Sequence, residues 1–200
     1  MKRDDWVKRI KERSDMVTRV THLTKGNDDD EAFENLWKIL NDKEIKGSGA
    51  NGFINGKRKA VCLQELPLSA IAENLMYEQV LNDKIRYSSF GVRFNKAFIY
   101  RMGGRPVIYE NKEHMKALLN EEEYWRIVDL DLSDKEKIVD WTHEREWRVP
   151  DKLPFKYTHI EVIVANDKYY RKFVKRCIDE DRTDILVEIH GIITLNSVCL

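Results

Sequence analysis

The sequence predicts an α+β domain of short strands and flanking helices, on three observations. Runs of alternating or β-branched residues recur at 16–24 (MVTRVTHLT), 60–63, 87–94, 106–110, 143–149, 159–165 and 184–195. Stretches with apolar residues spaced by three and four separate some of these runs but not others, so the regular strand and helix alternation of a doubly wound sheet is missing. The 200 residues, 23.8 kDa and 42% apolar, suffice for one sizeable core. No repeat, linker or low-complexity tract divides them, and a single domain over residues 1–200 is expected.

Taken in order, segment 4–13 spaces Trp6, Val7 and Ile10 as a short amphipathic helix with acidic residues in its first turn. Met16 to Thr24 alternates Val17, Arg19, Thr21 and Leu23 against Thr18, Val20, His22 and Thr24, as a strand does. KGNDDDE then supplies turn and helix-start residues, and Phe33, Leu36, Trp37 and Leu40 form the stripe of a helix ending near Lys43. Residues 47–59 hold four of the nine glycines and end in three bases, which is loop chemistry. After the strand at 60–63, Pro67 suits the first turn of a helix from Leu68 to about Leu81 that turns Ile71 and Leu75 inward.

Gly91, inside the strand at 87–94, marks a bulge or a close backbone approach. PVIYE (106–110) follows the Gly103-Gly104 turn as a further strand, and His114 to Val128 and Ser133 to Val139 read as helices. HEREWRV (143–149) alternates up to Pro150 and HIEVIVA (159–165) reads as a buried strand. Asp167 to Asp181 is an amphipathic helix with Tyr169 or Tyr170, Phe173, Cys177 and Ile178 inward, and residues 184–195 read as a last strand bent at Gly191.

The 35 basic and 35 acidic residues cancel, so no global field draws the chain to nucleic acid or anionic lipid. No apolar run approaches the roughly 18 residues of a membrane span, and MKRDDWVKRIKER lacks the apolar centre of a signal peptide. A cytoplasmic protein is expected. Cys62, Cys177 and Cys199 are widely spaced, with no Cys/His grouping that would hold zinc, so reduced thiols and no metal are expected. Walker, HExxH, GxSxG and dinucleotide fingerprints are absent, which disfavours kinases, zinc proteases, serine hydrolases and Rossmann oxidoreductases.

Four clusters could carry chemistry. On a strand over 143–149, Glu144, Glu146 and Arg148 share one face and His143, Arg145, Trp147 and Val149 the other. Paired carboxylates of this kind can orient a ribose hydroxyl and favour an oxocarbenium cation; the bland reading is a surface ladder of ion pairs. Arg19, Thr21 and His22 on the first strand offer an imidazole and a hydroxyl to a ribose or an amide. Tyr87, Ser88, Ser89 and Phe90 could line a flat ligand or belong to an ordinary edge strand. Lys168, Arg171, Lys172, Lys175 and Arg176, joined by Lys57, Arg58 and Lys59, could meet phosphates or face solvent.

Read together, AVCLQELPLSAIAENL, YSSFGVRFNKAFIYRMGGRPVIYE and DWTHEREWRVP resemble the AbiGi-type abortive phage-resistance family over roughly residues 17 to 150. The E-x-EWR and PVIY segments are the most specific part. VTRVTHLT followed by ENLWKIL is similar to the start of DarT-type DNA ADP-ribosyltransferases. The resemblance implies an ADP-ribosyltransferase-like fold, in which split, curved sheets with flanking helices clamp NAD as the substrate. It implies Glu146 as catalytic carboxylate with Glu144 as its neighbour. Arg19, Thr21, His22 and Asn35 would contact or support NAD, with Ser88 and Ser89 on a middle strand.

One segment departs from that pattern. Where DarT-type enzymes carry an arginine, this chain has Leu66 and Pro67, with Glu65 nearby. Arg19, Arg86 or Arg93 would then supply charge for the pyrophosphate, or the clamp is retained without transfer. Three functions remain open: ADP-ribose transfer to a nucleic-acid or protein acceptor, an inactive antitoxin or sensor module that holds a cognate toxin, antitoxin or phage protein, and a nuclease using Glu144, Glu146 and Glu110.

Overall fold

Alternating runs of β-branched residues assemble into one large sheet, and the amphipathic stretches cover it. The computed structural model describes residues 1–50, 53–81 and 87–198; Arg86 and Cys199 lie outside the described residues. The strands are β1 (Arg19–Leu23), β2 (Glu44–Lys46), β3 (Ala60–Gln64), β4 (Gly91–Asn95), β5 (Arg105–Pro106), β6 (Ile108–Glu110), β7 (Ile127–Asp129), β8 (Glu146–Pro150), β9 (Lys152–Pro154), β10 (Ile160–Val164) and β11 (Ile192–Thr194). The helices are α1 (Arg3–Lys11), α2 (Asp29–Asp42), α3 (Leu68–Leu81), α4 (Lys96–Arg101), α5 (Lys112–Leu118), α6 (Asp167–Asp179) and α7 (Thr183–Glu188).

The main sheet has seven strands in the order β11-β10-β4-β1-β3-β8-β5, antiparallel except where β10 meets β11. Two small sheets, β2 with β9 and β6 with β7, flank it. The fold is therefore α+β, as the sequence predicts.

The main sheet is joined weakly at its middle. β1 pairs with β4 all the way from Arg19 opposite Asn95 to Leu23 opposite Gly91. β3 pairs with β8 from Ala60 opposite Pro150 to Gln64 opposite Glu146. Between β1 and β3, however, the register is Thr21 opposite Gln64 alone. Two well-paired halves thus meet at one bridge and part beyond it, where His22 to Lys25 and Ala60 to Leu63 line a common cleft.

Helix α2 forms because its start and stop are both written locally. The Asp28 carboxylate accepts from the Glu31 N–H at 2.7 Å, acidic residues fill the first turn, and Lys43 closes the helix in the left-handed region at φ 50°. Its predicted stripe, Phe33, Leu36, Trp37 and Leu40, is buried against Val20, Val61, Leu63 and Val92 of the sheet. Burying each of these side chains contributes about 1.5–3 kcal/mol. Across this core, α6 adds Tyr169, Phe173 and Cys177, while Tyr170 and Ile178 point outward.

Several predicted elements differ. The 87–94 strand begins only at Gly91; before it the Ser88 N–H donates to the Thr24 carbonyl and the Thr24 N–H to the Phe90 carbonyl outside the regular ladder, and α4 follows at once after Asn95. The 106–110 run divides between β5 and β6 in different sheets. The helix expected from His114 to Val128 is α5, a 3₁₀ turn over Glu121–Arg126 and then β7. Residues 133–139 form turns closed by a bridge between Asp131 and Val139. The strand expected over 184–195 is α7 followed by β11: Ile185 and Leu186 of the helix, with Ile189 just after it, pack on the core.

Candidate functional site

A cleft of about 960 Å³ opens where β1 and β3 part. β1 contributes Thr21 and His22, β3 contributes Cys62 and Gln64, and the start of β8 contributes Glu146. One wall is α2, whose Asn35, Lys38, Ile39 and Asp42 follow the helical spacing of three and four. A smaller cavity of about 440 Å³ adjoins, and Gln64, Tyr87 and Glu144 line both. His22 and the two glutamates, far apart in the chain, therefore face one hollow.

Glu146 opens β8, and its backbone N–H donates to the Tyr109 hydroxyl at 2.7 Å, which anchors the strand start. Two residues on, Arg148 points to the same face and donates to both Glu146 oxygens, at 2.8 and 3.1 Å. The remaining guanidinium nitrogen donates to the Trp125 and Ile127 carbonyls, at 2.8 and 3.2 Å. Both side chains of this pair are buried.

Glu144 reaches the cleft by a different route from the one expected. Residues Thr142–Glu144 form a 3₁₀ turn and Arg145 sits in the left-handed region at φ 44°, so the strand starts at Glu146 and not at 143. The shared strand face expected for Glu144 and Glu146 is thus replaced by a turn that folds Glu144 over the same hollow. Arg145 leaves the strand and binds Asp15. The Tyr87 hydroxyl donates to both Glu144 oxygens, at 3.3 and 3.2 Å, and burial next to that carboxylate pushes the phenol pKa up. Cys62 is likewise pushed up, by burial first and Glu146 second, so it stays a thiol and not a nucleophile.

His22 fills the gap in the ladder. Its Nδ1 lies 2.9 Å from the Cys62 carbonyl. Burial pushes its pKa down despite that bond, which leaves the ring neutral at pH 7. A carbonyl can only accept, so Nδ1 carries the proton and Nε2 is left with a lone pair. Thr21 adds a second open group: its hydroxyl is buried and has no hydrogen-bond partner among the described residues. Gly91 explains how β4 can lie so close here, since a Cβ on it would stand 2.1 Å from the His22 carbonyl oxygen. A glycine inside an alternating strand announces that close approach.

Other expected residues are placed elsewhere. Asn35 lines the cleft, but its amide donates to the Lys25 carbonyl at 2.7 Å and so ties the chain after β1 to α2. Ser88 and Ser89 do not line the cleft; Tyr87 takes that position. Arg19 and Arg93 both pair with Glu161, at 3.1 and 3.2 Å, away from the cleft lining. Glu65 is held by Lys96 at 2.5 Å and Trp147 at 2.6 Å. The cationic residues that do line the cleft are Lys25, Lys38 and Lys46, none of which differs in sequence from an ordinary surface lysine.

The basic face of α6 is largely neutralised. Lys172 pairs with Asp30, Arg176 with Glu34 and Glu180, Lys175 with Asp179 and Arg171 with Asp167. Lys57 pairs with Glu121 and Arg58 with Asp151. Glu110 sits on the separate β6 and β7 sheet and does not line the cleft. Among the described residues, no three His, Cys, Asp or Glu side chains gather as a metal site, and no helix is long and apolar enough to cross a membrane.

The chain matches no family model, no curated protein and no solved structure.

Proposed function

We propose that the protein is a cytoplasmic ADP-ribosyltransferase-like phage-defence or toxin–antitoxin component that binds NAD in this cleft and transfers ADP-ribose to a nucleic-acid or protein acceptor. The observation that carries this reading is the meeting of His22, Glu144 and Glu146 across one hollow at the split between β1 and β3. A cleft of about 960 Å³ is large enough for a dinucleotide. The lone pair on His22 Nε2 suits a ribose hydroxyl or the nicotinamide amide, and the Thr21 hydroxyl, which lines the same cleft with no hydrogen-bond partner among the described residues, suits another polar group of the ligand.

In this mechanism the bond between ribose C1′ and the nicotinamide nitrogen breaks, and its electron pair leaves with nicotinamide. The Glu146 carboxylate accepts from a ribose hydroxyl and stabilises the cation that develops at C1′. The acceptor's lone pair then forms the new bond to C1′, and its proton passes to Glu144 or solvent. The adjoining cavity, which shares Glu144 and Tyr87 with the cleft, gives the acceptor an approach to the same carbon.

Release of nicotinamide, measured with DNA, RNA and protein acceptors, tests the reading. Wild type should release it and Glu146→Gln should not; equal background signals from both with every acceptor would overturn it. A second reading keeps the clamp and drops the transfer, leaving an antitoxin or sensor that holds a partner protein. It is favoured by the occupation of both Glu146 oxygens by Arg148. Co-purification with a neighbouring gene product, unaffected by Glu146→Gln, would support it.

A further inference from the structure

The two ends of the cleft differ in chemistry. Glu146 pairs with Gln64 at one end of β3, whereas Ala60, at the other end, is bridged by Ser48. Four residues of strand separate these ends, about 13 Å at 3.3 Å per residue. The chain after β1 runs antiparallel to β3 and carries Lys25 toward the Ala60 end, where Asn35 fixes its carbonyl. Lys38 stands one helical turn beyond Asn35 on the same wall.

Charge at this far end is not cancelled. Asp42 is already paired with Lys46 at 3.5 Å, and Glu44 with Lys152 at 2.8 Å. Lys25 and Lys38 have no ion-pair partner among the described residues, and both are exposed. An anion entering here would meet two uncommitted ammonium groups.

Phe53 is the second observation at the same end. It lines the cleft, yet it is 89% exposed, and its backbone is in the left-handed region at φ 62°. Its neighbour Ile54 is buried on Ala60, which fixes the position of the ring beside that strand end. A phenylalanine left 89% exposed in a backbone region suited to glycine is poorly explained by packing. Aromatic faces of this kind stack on heteroaromatic bases.

We propose that the Ala60 end of the cleft is a nucleoside-diphosphate site, in which Phe53 stacks on the base and Lys25 and Lys38 take the two phosphates. This rests on, and deepens, the NAD reading: it places the adenine diphosphate away from the carboxylates, and gives lysines the role that an arginine would otherwise have. It also accounts for the length of strand between Ala60 and the Gln64–Glu146 pair, about 13 Å at 3.3 Å per residue, which suits a dinucleotide rather than a sugar alone.

The test is calorimetric titration of the full chain with ADP and with pyrophosphate, in low and high salt. Wild type should bind both, more weakly as salt rises. Phe53→Ala should weaken ADP about tenfold and leave pyrophosphate within about twofold, because only the base is lost. Lys25→Gln combined with Lys38→Gln should weaken both ligands and flatten the salt dependence. All three side chains are exposed, so folding should survive. Absence of ADP binding at millimolar concentration, or ADP affinity unchanged in both variants, would overturn the site. If ADP binds as described but nicotinamide is never released, the site stands and the transferase reading fails. If nicotinamide is released at full rate and low NAD by both variants, the transferase reading stands and the site fails.

Discussion

Arg148 holds both oxygens of Glu146 from two residues further along the same strand, at 2.8 and 3.1 Å, and both side chains are buried. A guanidinium so enclosed has its charge balanced by one carboxylate and two backbone carbonyls. The residue proposed to stabilise a cation is therefore also half of a buried ion pair, and its substitution has two separable consequences.

Glu146→Ala should destabilise the protein by about 3–5 kcal/mol, because it leaves a buried guanidinium without its counter-charge. Glu146→Gln, which keeps an acceptor and the shape, should cost less. Adding Arg148→Met to Glu146→Ala should recover part of the loss, since the orphaned charge goes with it. Urea denaturation of the single and double variants measures this coupling, and strict additivity would show that the pair contributes nothing.

His22 should make stability depend on pH in one direction. Its folded-state pKa lies below the ordinary 6.5, so in the interval beneath 6.5 the unfolded chain takes up a proton that the folded chain refuses. That part of the stability is fully present above 6.5 and is lost as pH falls toward the folded pKa. His159 is depressed in the same direction, also by burial, and contributes to the same window. Melting temperatures at pH 7.5 and pH 5 should fall further apart in wild type than in His22→Gln; identical differences would remove His22 from the account.

Thr21→Val should separate stability from binding. The variant removes a buried hydroxyl that has no hydrogen-bond partner among the described residues, so stability should hold or rise by up to about 1 kcal/mol. If that hydroxyl serves NAD, the rise in melting temperature that NAD produces should shrink in the same variant. An undiminished rise would leave Thr21 a structural residue.

Gly91→Ala should damage both fold and cleft. Its Cβ would stand 2.1 Å from the His22 carbonyl oxygen, so β4 must move from β1 at the residue that carries the imidazole. A cost of about 1–3 kcal/mol is expected, together with loss of the NAD-dependent thermal shift. Chemical denaturation and differential scanning fluorimetry measure the two effects.

The α+β class and the elements with strong local signals are legible from residue spacing alone: the capped, striped helix α2, the apolar strand β10 and the amphipathic α6. The same spacing marks out His22, Glu144, Glu146 and the tight spot at Gly91. It misread 184–195 because a short apolar run fits both periodicities and only packing decides between them. It misread 143–145 because a left-handed arginine breaks a strand without any glycine to announce it.

Which strands are neighbours is settled by long-range pairing. That β3 lies beside β1, touches it at one register pair and then parts from it is a non-local fact, set by how each strand satisfies its hydrogen bonds with β8 and β4. The same packing tied Arg19 and Arg93 to Glu161 and left Lys25 and Lys38 at the cleft without an ion-pair partner among the described residues. Local spacing can say which residues share a face. Which faces meet depends on backbone pairing and burial summed over the whole chain, and that sum is not written in any one segment.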